Sequence, residues 1–73
     1  MSPLMLRELW SLIEKTQVKT LLTLDDVSLV QSLSKQFQQN KALKSDEIDM
    51  LRAYLQSKLS LIRDMAEGRS FLR

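Results

Sequence analysis

Apolar residues recur along this chain at helical spacing, and nowhere do they alternate as in a strand. Leu6, Leu9, Trp10 and Ile13 fall at the i, i+3, i+4, i+7 positions of one helix face, with Met5 and Leu12 widening it and Arg7, Glu8, Ser11 and Glu14 mostly opposite. Ser2 followed by Pro3 is a capping residue followed by proline at the first helical position. The pattern therefore predicts a helix over 3–15. Residues 16–22 form a linker whose Val18, Leu21 and Leu22 suggest that it packs down.

A second helix is predicted over 24–39, with Val27, Val30, Leu33 and Phe37 in one stripe and Leu29 beside it. Thr23 and Asp26 have the spacing of a capping box, and Leu22 and Val27 that of a hydrophobic staple. Asp25 and Asp26 also suit the positive end of the helix dipole. After a polar turn around Asn40–Lys44, Ser45 is the expected cap of a third helix over 46–67, with Asp46, Glu47 and Asp49 in its first turn. Gly68 is the expected stop, leaving 68–73 as a tail in which Phe71 and Leu72 would fold back on the last turn.

The third helix carries two apolar stripes. Ile48, Leu51, Leu55, Ile62 and Met65 make a heptad-like seam, broken by Lys58, with Leu59 at its edge. Met50, Tyr54 and Leu61 make a second stripe about 100° away, and Met65 lies between the two. One reading has both stripes covered by the other two helices, with Lys58 keeping its head in water while its stem packs. The other has one stripe serving the fold and the other meeting a second molecule. The candidate interface residues are thus Met50, Tyr54, Leu61, Met65, Ile48, Leu51, Leu55 and Ile62.

Size sharpens the choice. Seventy-three residues make one domain, 1–73, and a chain this short buries only about 60% of the surface its unfolded form exposes. Small domains supplement such a core with disulfides, a metal or a partner subunit. The chain holds no cysteine and no histidine, which removes disulfides, thiolate zinc sites and the commonest metal ligand together. Self-association is the remedy left open, so the expectation is an all-α, three-helix domain with a long C-terminal helix, assembled as a homodimeric bundle, with no cofactor and no metal.

Charge and motifs narrow the function classes. Eleven basic and nine acidic residues give a net charge of +2, and the bases form no run. The two acid groups, Asp25–Asp26 and Asp46–Glu47–Asp49, sit at predicted helix N-termini, where dipole and capping explain them without a paired-carboxylate site. No serine or threonine has a histidine base, and one glycine allows no phosphate-cradling loop, so the chain reads as a non-enzyme. A DNA-binding helix-turn-helix would need a shorter connection than Phe37–Ser45 and would present Asp46, Glu47 and Asp49 to phosphates. Membrane-surface binding through the Leu6–Leu9–Trp10–Ile13 face lacks a basic polar side, since Arg7 and Lys15 offset Glu8 and Glu14. No stretch approaches a membrane span, and Arg7 and Glu8 interrupt the apolar start of the chain, so no signal peptide is expected. The expected setting is cytoplasmic, and the expected function is protein interaction or regulation, with nucleic acid and membrane as the weaker alternatives.

The run Ser2-Pro3-Leu4-Met5-Leu6-Arg7-Glu8-Leu9-Trp10-Ser11-Leu12, and the later Leu24-Asp25-Asp26-Val27-Ser28-Leu29-Val30, resemble stretches of short helical proteins encoded in cyanobacterial genomes. The resemblance covers about the first half of the chain, rests on no catalytic motif, and carries over no activity.

Overall fold

Four helices follow one another in the computed structural model, which describes the backbone of residues 2–71 and the side chains of 2–69: α1 (Pro3–Lys15), α2 (Val18–Thr23), α3 (Asp26–Asn40) and α4 (Ser45–Phe71). The described residues contain no strand, and the all-helical class stands. The first helix begins as its sequence dictates, the Ser2 hydroxyl accepting from the Met5 amide at 3.2 Å with Pro3 in the first turn.

The expected three helices become four because the 16–22 linker contains α2. Val18, Leu21 and Leu22 share one side of this short helix; Leu21 is buried and its two companions are half-buried against the core. Six residues are too few for periodicity to announce a helix, and packing rather than propensity holds it. Its presence moves the next helix start. Thr23 ends α2, and its hydroxyl donates to the Lys19 carbonyl at 2.6 Å, so Thr23 cannot cap α3. Asp25 caps instead, accepting from the Ser28 amide at 3.4 Å. The proposed staple shifts with it: Val27 is 62% exposed, while Leu24 and Leu29, at the two staple positions of the new cap, lie against or within the core.

The start of α4 also differs from expectation. Ser45 is its first residue, and Glu47 reaches back to accept from the Lys44 amide at 3.0 Å, the carboxylate half of a capping box. At the far end the helix runs through Gly68, which has no positive φ and no neighbour where a Cβ would stand. The helix continues because it is tied down beyond the glycine: the Arg69 guanidinium donates to the carbonyls of Glu14 and Thr16. The suggested fold-back of Phe71 and Leu72 lies outside the described side chains.

The core is one cluster to which every helix contributes: Leu9 and Ile13 from α1, Leu21 from α2, Leu29, Val30, Leu33 and Phe37 from α3, and Leu51, Leu55, Leu59, Ile62 and Ala66 from α4. The buried line of α4 departs from the heptad seam after Leu55, taking Leu59 and Ala66 where a 3.5-residue repeat would take Lys58 and Met65. A straight helix of 3.6 residues per turn drifts about 20° per heptad, and the drift turns the burial line toward Leu59 and Ala66. Helices α3 and α4 run antiparallel, closed at one end by the 41–44 turn and at the other by the 2.9 Å pair of Arg63 with Asp26.

Two arginines of α4 finish the short helices. Arg63 donates to the carbonyls of Leu21 and Leu24, each at 2.8 Å, at the C-terminal end of α2. Arg69 does the same for α1 through Glu14 and Thr16. The last carbonyls of a helix lack intrahelical partners and carry its negative dipole end, so a guanidinium there meets both needs.

Candidate functional site

The eight candidate interface residues separate cleanly by burial. Leu51, Leu55 and Ile62 are 0% exposed and belong to the chain's own core, so they are withdrawn from any surface. Ile48 is half-buried. Of the second stripe, Met50 is 50%, Leu61 47% and Met65 41% exposed, and they rank among the few large apolar side chains left open.

Tyr54, the remaining member, is already engaged. The Trp10 indole N–H donates to its hydroxyl at 2.9 Å, and the two rings meet edge to face at 6.5 Å and 82°. The Lys58 ammonium stands 5.8 Å from the Tyr54 ring centroid, which explains a cation beside an apolar stripe. Trp10 itself packs half-buried against the core rather than projecting as a membrane anchor.

Met50 and Met65 lie fifteen positions apart, about 22 Å along the helix. At the Met50 end, Leu6, Ala53 and Tyr54 join Met50 around an open apolar hollow. At the Met65 end a cleft of about 270 Å³ opens between Ile13, Leu21 and the Met65–Ala66 turn, with Glu14 and Arg69 at its rim. The surface is thus a ridge with a depression at each end, on the longest element of the fold.

Charge is distributed unevenly beside this ridge. At 100° per residue, Asp46, Asp49, Asp64 and Glu67 all fall within about 100° on one side of Met50, and all four are exposed. Between the acids the same flank carries Ala53, Ser57 and Ser60, small exposed residues that leave it shallow. None of the four acids is in an ion pair among the described residues, where the two pairs present are Lys41 with Glu8 and Arg63 with Asp26.

Among the described residues no three acidic, histidine or cysteine side chains converge as a metal site, and no helix is long and apolar enough to cross a membrane. The one resolved pKa shift belongs to Asp25, whose carboxyl is held below 3.8 by hydrogen bonding from Ser28, hydroxyl first and then amide. That is the signature of a helix cap. One buried hydroxyl, that of Ser34, lacks a partner among the described residues.

Compared with known proteins, the chain matches no family model, no curated protein and no solved structure.

Proposed function

We propose that this chain is a non-catalytic protein-interaction module that works through the outward face of α4, in the cytoplasm. One observation carries the reading: Met50, Leu61 and Met65 stay exposed in line along α4 while a closed core sits behind them. Scattered exposed apolar residues are ordinary, but an aligned set along one helix is the form in which helices are recognised. Methionine suits such a surface because its unbranched thioether adapts to different shapes. The composition supports the non-catalytic part, since there is no histidine or cysteine to act as base, nucleophile or soft ligand.

Self-association is a second reading of the same face, favoured by its spacing. Met50, Tyr54, Leu61 and Met65 are separated by four, seven and four positions. An antiparallel two-fold maps such a stripe onto itself, setting Met50 against Met65 and Tyr54 against Leu61 of the copy, as an isologous interface requires.

A photo-crosslinking residue at position 61, with one at the exposed Lys35 of α3 as control, tests the location in living cells. Adducts from position 61 and none from 35 are expected, and the mass of the adduct separates a second copy from another protein. Adducts from 35 with none from 61 would place the contact surface elsewhere.

A further inference from the structure

Resting on the reading above, we infer that the partner of the α4 face is a basic amphipathic helix of another protein, its apolar stripe on Met50, Leu61 and Met65 and its lysines or arginines along Asp46, Asp49, Asp64 and Glu67. Four of the chain's nine acids stand on one flank of the ridge, where no base lies among them, although the chain as a whole is positive. The helix start accounts for Asp46, which stands in the first turn beside the capping Glu47, and Asp49 follows one turn later. The same start does not account for Asp64 and Glu67, which stand in the last third of α4, far from its N-terminus.

The same charges decide against a second copy. An antiparallel two-fold keeps each lateral flank on its own side and reverses the direction along the helix. Asp46 and Asp49 of one chain would then lie beside Asp64 and Glu67 of the other, at both ends of the interface. Like charges set opposite one another are repulsive, so the symmetry that suits the apolar residues is opposed by the row beside them. The acids also repel anionic lipid and nucleic-acid phosphate. A helix with a basic flank satisfies both parts of the surface. Matching the length of the ridge takes about fifteen residues, or four turns.

The probe is a fluorescently labelled 18-residue peptide of leucine and lysine in helical register, paired with one in which glutamate replaces every lysine. Fluorescence anisotropy at 50 and 300 mM salt reads their binding to the full chain. The lysine peptide should bind at least about ten times more tightly than its glutamate mate at low salt, with the preference shrinking at high salt. The chain's net charge of +2 works against non-specific capture of a cationic peptide. Replacing Asp64→Lys and Glu67→Lys together should remove the preference. Both positions are exposed, so lysine is accommodated there and the fold is retained. Equal binding of both peptides, weakened by Leu61→Ser, would overturn the basic partner and leave the α4 face as a contact surface. Lysine-peptide binding that is unchanged by Leu61→Ser and by the charge reversal would overturn both. Failure of the lysine peptide to bind would overturn the inference, and the crosslink from position 61 judges the face independently.

Discussion

Arg63 is the residue whose loss should reveal most about how this fold is closed. Its guanidinium joins α4 to the end of α2 through the Leu21 and Leu24 carbonyls and to the start of α3 through Asp26. Arg63→Met keeps most of the stem's packing and removes all three contacts. A hydrogen bond with a charged partner contributes about 1.5–3 kcal/mol, and carbonyls left without a donor pay for their desolvation. The Arg63 side chain is 23% exposed, so water can reach part of the site, and about half of the full sum for two bonds is lost. The Asp26 pair adds little, because that carboxylate is 74% exposed. The cost is then about 1.5–3 kcal/mol, a large share of the stability of so small a domain. With an unfolding entropy of about 0.15 kcal/mol/K for a chain of this size, the melting temperature should fall by about 10–20 °C. Circular dichroism at 222 nm, following thermal and urea unfolding, measures it. Arg63→Lys should recover only part of the loss, since an ammonium cannot span both carbonyls and the carboxylate, and Asp26→Asn should change little. A methionine variant that melts within a few degrees of the parent would refute the arginine-cap account.

Leu55→Ala and Ile62→Ala, each at a fully buried position, should each cost about 2–5 kcal/mol in urea unfolding, and parent-like melting of both would remove them from the core. Gly68→Ala should stabilise by about 0.5–1 kcal/mol, because the glycine is helical, has open space at its Cβ and lacks a positive φ; destabilisation would restore it as a helix stop. Asp25→Ala should lower the melting temperature at pH 7. Because folding depresses the Asp25 pKa, its contribution is present above 3.8 and fades as pH falls through the lower folded value, so the parent and the variant should converge only below pH 3.8. Convergence near pH 5 would contradict the capping role.

Local signals made much of this fold legible. Ser2 and Pro3 announce α1, and the spacing of Val30, Leu33 and Phe37 announces α3, although Val27, expected in the same stripe, is exposed and Leu29, expected beside it, is fully buried. Local chemistry misled where two devices competed for one residue: Thr23 can cap the next helix or close the previous one, and only the presence of α2 decides between them. The arginine caps were hidden for another reason, because Arg63 and Arg69 meet carbonyls 39 to 55 positions away and no spacing rule reports such a contact. For the candidate site, helical spacing divided the stripe of Met50, Tyr54 and Leu61 from the seam of Leu51, Leu55 and Ile62, with Met65 between them, but only packing shows which of the two is core. Tyr54 belongs to the stripe by position and to Trp10 by hydrogen bond. Of the acidic flank, Asp46 and Asp49 read as helix-start residues, and Asp64 and Glu67 stand too far along the chain for proximity in sequence to group them with the first two.

The claim that the outward face of α4 receives a partner helix is tested most directly by methyl NMR during titration with the leucine–lysine peptide. The account predicts that the ε-methyl groups of Met50 and Met65 and the δ-methyls of Leu61 shift progressively, while those of Leu29 and Leu33, fully buried in α3, hold still. Shifts spread over α3 with Met50, Leu61 and Met65 unmoved would contradict it.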